Sequence, residues 1–321
     1  MSRIIIGVDE HEGSQDAVAF GLGLARDSGA AVTVAHAYPR QPHGFAGAYE
    51  ADRFQERQHL GSAGLYGAEG YLLEESAKLV ERVSEPLRGL PGLELRSLSE
   101  PSAARGLHEL AEELEAGLIV IGSSHAGRVE RVVTGSTAER LLHGSPCPVA
   151  IVPHGYRNVE RHGSRVIACG WDGGPESDAA LAAAEELARG TAASLRVIWA
   201  FEPPSHFAYP QELSADYAES IQGARDHAKR SLELRVAQLA TGIEAEGEVF
   251  EAPAAHTLVE VSDAVDLMVL GSRGYGPLKA VLLGGVSGKV VAKAACPVIV
   301  VPKGFRRGMA SVFDASAEAM S

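Results

Sequence analysis

The sequence predicts an α/β protein built as two tandem doubly wound domains, each with a five-stranded parallel sheet. Two observations lead there. A stretch near the C-terminal end, Leu267 to Pro302 (LMVLGSRGYGPLKAVLLGGVSGKVVAKAACPVIVVP), occurs a second time at Leu118 to Pro153 (LIVIGSSHAGRVERVVTGSTAERLLHGSPCPVAIVP). Gly122 matches Gly271, Gly135 matches Gly284, and Cys147-Pro148-Val149 matches Cys296-Pro297-Val298, each pair at one offset (271 − 122 = 149). Around both copies, short apolar runs alternate with segments of helical spacing, and strands that are apolar throughout belong to a parallel sheet covered on both faces.

Ile4 to Val8 reads as a buried strand with Asp9 at its carboxyl end, then a turn at His11 to Ser14 and a helix to about Ser28. Val32 to Ala37 is the second strand. Tyr38 to about Tyr71 is rich in Gly, Pro, His, Tyr and Gln without a period, and reads as a long loop. It either lies over a ligand site or is a tolerated surface insertion. A helix from about Leu72 to Leu87, a strand from Leu93 to Leu98 and a helix from Ala103 to Ala116 lead into the first copy of the repeated stretch. Pro153 to Ser164 (PHGYRNVERHGS) is polar and aperiodic and marks a linker, so the domains are expected at 1–153 and 165–303.

The second half repeats the order. Val166 to Trp171 leads to Asp172, followed by a helix at Pro175 to Ala188, a strand at Ser194 to Ala200 and a proline-bearing loop at Glu202 to Pro210. Ser214 to Ala240 is helical, Glu244 to Phe250 a strand, and Thr257 to Ala264 a helix. Asp9 and Asp172 lie further apart (172 − 9 = 163) than the later landmarks, so the first half holds 14 more residues between them (163 − 149 = 14). The tail, residues 304–321, lacks a period and is expected to be disordered.

Within the repeated stretch, the apolar run Leu267 to Leu270 is followed by glycines at 271, 274, 276, 284, 285 and 288. A helix can begin only after Gly284 and Gly285, with Val286, Val290, Val291 and Ala294 on one face and Pro297 as its stop. Backbone N–H groups at Gly284 to Ser287 then stand at the positive end of the helix dipole. Glycines there let an anion approach the main chain without obstruction from Cβ, and a nucleotide phosphate is the natural guest.

Composition narrows the function classes. A net charge of −13 opposes attraction to nucleic acid backbones and anionic lipid surfaces. No apolar run approaches the roughly 20 residues that span a bilayer, and the N-terminal run is too short for a signal peptide, so a cytoplasmic protein without membrane or nucleic acid partners is expected. The three cysteines stand singly, without a ligand or disulfide pattern, and Cys147 and Cys296 read as small buried hydrophobes. The 12 histidines show no metal-ligand spacing; His36 reads as a satisfied strand residue and His143 as a complement to a helix terminus. Gly284 to Lys289 resembles a phosphate-binding loop of the G-x-x-x-x-G-K type but lacks one residue between its glycines.

Gly271-x-x-Gly274, nine residues and then Gly284, together with the strand-end Asp172 and a final CPVIVV strand, resembles the universal stress protein family. Both halves match, from about Arg3 to Pro302. The resemblance implies a Rossmann-like fold in which the first and fourth strands flank a binding crevice. It implies that the strand-end Asp contacts the adenosine part of ATP, that the end of the second strand lies near adenine and that the glycines hold the phosphates. Carried onto this chain, that points to Asp172, Ala200, Gly271, Gly274, Gly284, Gly285 and Val286 in the second half. In the first it points to Asp9, Ala37, Gly122, Gly135, Ser136 and Thr137.

Against this stands a plainer reading, in which each Asp caps a turn and each glycine only permits one. The copies also depart from the family pattern. His125 stands where the second glycine belongs, so a side chain either obstructs the phosphate or donates to it, while Gly127 offers an alternative close approach. Gly285 stands where a Ser or Thr is usual; Ser136 keeps that hydroxyl, which in Ser136-x-x-Glu139 also has capping-box spacing.

Three function classes follow. One is a nucleotide-binding regulatory protein that takes ATP with magnesium; the second is a slow ATPase or nucleotidyl transferase using the same pocket; the third is an assembly module with degenerate pockets. No base to activate water is evident, and neither domain start carries the HxGH signature of related adenylyl transferases. The terminal strands Val149 to Val152 and Val298 to Val301 are apolar on both faces, so the halves are expected to pair through them as a pseudo-dimer that can dimerise further.

Overall fold

The computed structural model describes residues 3–38, 65–123, 135–159, 165–202, 214–239, 242–272 and 285–305. The first half forms β1 (Arg3–Gly7), α1 (Gly13–Ser28), β2 (Ala31–Tyr38), α2 (Leu65–Val83), β3 (Glu94–Ser99), α3 (Ala103–Glu113), β4 (Leu118–Gly122), α4 (Ser136–Gly144) and β5 (Val149–Val152). The second forms β6 (Val166–Gly170), α5 (Pro175–Thr191), β7 (Ser194–Phe201), α6 (Ser214–Ala237), β8 (Ala245–Glu251), α7 (Ala254–Val261), β9 (Leu267–Gly271), α8 (Ser287–Lys293) and β10 (Val298–Val301). Helix α2 starts at Leu65, seven residues before the expected Leu72 (72 − 65 = 7). Gly67 and Gly70 lower helix propensity there and hid the first turns.

The strands lie in the order β3-β2-β1-β4-β5-β10-β9-β6-β7-β8. Within each half every pairing is parallel. The halves meet where β10 pairs antiparallel with β5, Val298 opposite Ile151, Ile299 opposite Ala150 and Val300 opposite Val149. The two five-stranded runs are therefore one continuous ten-stranded sheet rather than two separate ones. These two strands are buried throughout, so an unpaired row of N–H and C=O groups along either would be costly, and each supplies the other's partners. The outermost strands, β3 and β8, instead carry charged residues such as Glu94, Arg96, Glu246 and Glu248, as exposed edges do.

Both faces of the sheet are covered. Ile4, Ile6, Val32, Val34, Leu118 and Val120 share one hydrophobic cluster with Ile167, Leu195, Val269 and Ile299, and helices α1 and α5 add Phe20, Leu24, Leu181 and Leu187 to it. Ile5, Ile119, Ile121 and Ile151 lie in the opposite cluster with Met268, Leu270, Val298 and Val300, covered by α3, α4, α7 and α8. Alternate strand residues divide between the clusters, as the pleat requires. Each cluster draws on both halves.

The linker is docked where it is described. Asp16 of α1, fully buried, accepts hydrogen bonds from the backbone N–H groups of Gly155 and Arg157, both 2.9 Å. Tyr156 packs edge to face on Phe20, ring centroids 5.6 Å apart. Arg165 pairs with Asp27 at the other end of the same helix. Beyond β10, Phe305 packs against the core although the sequence placed it in the tail. Residues 39–64, 160–164 and 306–321, which hold most of the expected loop, the rest of the linker and most of the tail, lie outside the described residues.

Because β5 and β10 run antiparallel while each half is internally parallel, the carboxyl ends of β1 and β4 point opposite to those of β6 and β9. The strand order reverses around β1 in one half and around β6 in the other. Ligand crevices of such sheets open at those reversals, so two candidate sites face opposite ends of the molecule.

Candidate nucleotide site

At each reversal the chain leaves its first strand through an acidic residue whose carboxylate closes the next turn. Asp9 Oδ1 accepts from the His11 backbone N–H (2.9 Å) and from Ser14 Oγ (2.8 Å). Asp172 Oδ1 accepts from the Gly174 N–H (3.0 Å) and from Ser177 Oγ (2.8 Å). The serine is five residues on in both halves and is buried, while both Asp residues are exposed. The capping role thus engages one carboxylate oxygen, Oδ1, and leaves the residue at the mouth of the crevice. Both roles are compatible.

A cavity of about 230 Å³ lies beyond β1 and β4, lined among others by Asp9, Ala37, Gly122, Gly135, Ser136 and Thr137. Its counterpart beyond β6 and β9, about 550 Å³, is lined by Asp172, Ala200, Gly271, Gly285 and Val286. The sequence-predicted residues that are described therefore converge, six in one cavity and five in the other. His125, Gly274 and Gly284 lie outside the described residues.

The glycines divide by role. A Cβ on Gly122 would lie 2.0 Å from the carbonyl oxygen of Gly13, and one on Gly271 would lie 2.3 Å from that of Glu176. Here the strand end touches the first turn of the helix after β1 or β6, so packing alone requires glycine. Gly285 meets nothing within 4 Å, so the missing serine there reflects no lack of room. Gly135 is the N-cap of α4, in extended conformation, and Ser136 is the first helical residue rather than the cap that its spacing to Glu139 suggests. The N–H groups of Ser136, Thr137 and Ala138 precede the first intrahelical bond, Glu139 N–H to Gly135 O, and sit at the cavity's edge. In α8 the first such bond is Val290 N–H to Val286 O.

Polar groups around the first cavity differ in satisfaction. Ser123 Oγ, on a residue 3% exposed, has no hydrogen-bond partner although the residue lines the cavity. His36 is turned away into a chain, its Nδ1 bonded to Ser76 Oγ (2.9 Å), which donates to Ser97 Oγ (2.8 Å). Burial holds the imidazole below its ordinary pKa, opposed by Asp9 and Glu10. The expectation of a satisfied strand histidine describes it. Burial also pushes the Cys147 thiol up to about 12 and the Cys169 thiol further, the reverse of what a reactive cysteine needs. Among the described residues no group of three or more His, Cys, Asp or Glu side chains is placed to hold a metal ion, and no helix is long and apolar enough to cross a membrane.

Sequence reasoning missed Ser14 and Ser177, although the shared D-x-x-x-x-S spacing was available as a signal. It also missed Trp171 and Trp199, which line the second cavity.

The sequence model described as the universal stress protein family matches residues 1–153 and again residues 163–302. A universal stress protein of Mycobacterium tuberculosis is 34% identical over 208 residues, covering 63% of this chain and 69% of its own length. One from Mycolicibacterium smegmatis is 28% identical over 306 residues, covering 93% of this chain and 96% of its own. Among solved structures, a universal stress protein from Archaeoglobus fulgidus shares the fold with a TM-score of 0.62 at 19% identity, over 94% of this chain and 98% of that one. With the family's model matched to both halves, the chain belongs to the universal stress protein family.

Proposed function

We propose that the two cavities are adenine nucleotide sites, that each takes ATP with magnesium, and that the protein, organised as domains 1–153 and 165–303, works as a regulatory nucleotide-binding protein of the cytoplasm. The observation that carries this reading is the convergence, at the strand-order reversal of both halves, of an exposed strand-end Asp, a glycine contact and the opening turn of a helix. The Asp supplies an acceptor for hydroxyl groups of a ribose. The N–H groups of Ser136, Thr137 and Ala138 supply donors for phosphate oxygens, supported by the helix dipole. Magnesium bound with ATP is held mainly by phosphate oxygens and water, which suits a site without a protein cage of carboxylates.

Hydrolysis on this reading is slow, because Oδ1 of each strand-end Asp is committed to its own turn. Binding then acts through contacts with partners, a second copy of the chain included. The test is calorimetric titration of the purified full-length protein with ATP and magnesium, together with mass spectrometric identification of any nucleotide that co-purifies. Saturable binding of an adenine nucleotide, weakened by Asp172→Ala, is expected. Absence of any nucleotide binding overturns the proposal, and steady turnover abolished by Asp172→Ala overturns its regulatory part.

A further inference from the structure

The halves share a backbone plan but differ in their cavity walls. Gly7 pairs with Ala35 in the first half and Gly170 with Ile198 in the second. The next residues along the chain are Val8 and His36 in the first half, and Trp171 and Trp199 in the second, at the domain offset (171 − 8 = 163; 199 − 36 = 163). These are the chain's two tryptophans, and both line the second cavity.

Their placement is tightly determined. The two rings meet edge to face with centroids 5.2 Å apart and an interplanar angle of 82°. Trp171 is 7% exposed, and its Nε1 donates to Asp178 Oδ1 at 2.8 Å, so its polar edge is satisfied. Asp178 is in turn 3.8 Å from the Arg235 guanidinium on α6. Trp199 also meets His227 edge to face, ring centroids 6.2 Å apart. Gly173, in the left-handed region at φ 78°, lies so near that a Cβ there would be 3.5 Å from the Trp199 ring. Trp199 is thus fixed by three neighbours and remains half-buried, with part of its surface left to the cavity. In the first half the same strand lines its cavity with Ala35 and Ala37, while His36 is committed to Ser76.

We propose that Trp199 is a specificity-determining residue of the second cavity, selecting ligands with a planar aromatic base, and that Trp171 positions it. This rests on the nucleotide reading of the cavities. Contact between a base and an indole is sequence-tolerant, because every base has a π-face, so it selects nucleotides over base-free polyphosphates and purines over pyrimidines through contact area. It does not separate adenine from guanine. The first cavity, where the counterpart of Trp199 is His36 bonded to Ser76, lacks the selection.

Both tryptophans lie at one cavity, so tryptophan fluorescence of the protein, excited at wavelengths that tyrosine does not absorb, reports on that cavity. The test compares ATP with inorganic tripolyphosphate, both with magnesium, by fluorescence and calorimetry. The protein is used as wild type, as Trp199→His, which installs the first half's residue, and as Trp199→Phe, which keeps a ring. ATP is expected to change the fluorescence and tripolyphosphate to leave it unchanged. Trp199→His weakens ATP binding at the second site by about tenfold, within the range for loss of one base–aromatic contact, without affecting tripolyphosphate. Trp199→Phe recovers most of that loss. Equal weakening of both ligands, an ATP affinity unchanged by Trp199→His, or calorimetric ATP binding without any fluorescence change overturns the Trp199 assignment while leaving the nucleotide reading standing. Failure of wild type to bind ATP at all overturns both. Should Trp199→His not fold, the wild-type ligand comparison and Trp199→Phe still decide.

Discussion

Replacing the hydrogen of Gly122 by a methyl group would put carbon 2.0 Å from a backbone carbonyl oxygen of α1, and at Gly271 the same change meets α5 at 2.3 Å. Backbone cannot rotate out of the way as a side-chain end can, so the strand and helix must separate. Gly122→Ala and Gly271→Ala are each expected to cost about 1–3 kcal/mol in urea unfolding, with or without ligand. Gly285→Ser is the contrasting change. Its Cβ enters open space, so stability should hold within about 0.5 kcal/mol, and the restored hydroxyl should strengthen ATP binding by about 1 kcal/mol, or fivefold, in calorimetry. Equal destabilisation by all three substitutions would refute the division of roles. From the sequence these glycines looked alike, since each stands at a landmark of the repeat. What separates them is a contact between residues more than 90 positions apart, which no local pattern contains. The tryptophans escaped notice for the same reason: Trp171 follows β6 and Trp199 lies on β7, and only the sheet brings them to one wall. The strand-end Asp was legible because its function is local, closing a turn five residues long.

At the scale of elements, strand and helix order was readable because the inner parallel strands are mostly apolar and the helices follow a period. The linker was harder. Its polar, aperiodic composition suggested a tether, yet residues 155–158 form a short turn fastened to α1. The deciding residue is Asp16, whose carboxylate has no solvent contact and accepts from the Gly155 and Arg157 N–H groups, with the His154 ring 3.8 Å from its Oδ2. Its partners are 139 and 141 residues away, so the sequence shows only an acidic residue in the first turn of a helix, which by itself suggests a dipole partner. Removing the carboxylate leaves two donors without acceptors next to the core. Asp16→Ala is expected to destabilise the protein by about 2–4 kcal/mol and to raise amide hydrogen exchange at residues 155–159 by more than tenfold. Gln15→Ala, in the same helical turn but exposed, serves as the control and should leave that exchange near wild type. An Asp16 variant whose exchange matches the control would show that the linker is held by Tyr156 on Phe20 and Arg157 on Glu12 instead.

For the whole molecule, duplication and cooperativity pull in opposite directions. Two copies of one domain joined by a linker would ordinarily unfold separately, each with its own core. Here both hydrophobic clusters mix residues of the two halves, and β5 and β10 share a ladder at the centre of the sheet, so neither half completes its core alone. Pairing of the halves through their apolar terminal strands was legible in the sequence, whereas the merging of the two sheets into one ten-stranded ladder was not, because it depends on which groups remain unsatisfied after each half has folded. Unfolding should accordingly be a single transition. Tryptophan fluorescence tests this directly, since both tryptophans belong to the second half, whereas far-ultraviolet circular dichroism sees both. In the wild type the two signals should lose structure at the same urea concentration. Ala150→Asp places a carboxylate on β5 opposite Ile299, at a position with no solvent exposure, and is expected to destabilise the junction by about 4 kcal/mol or more. Although the substitution lies in the first half, it should move the tryptophan transition to lower urea, because β10 loses its partner and half of each cluster. A tryptophan midpoint that stays at its wild-type value while the dichroism shows early loss of structure would mean that the halves fold independently and that the ten-stranded sheet contributes little to their stability.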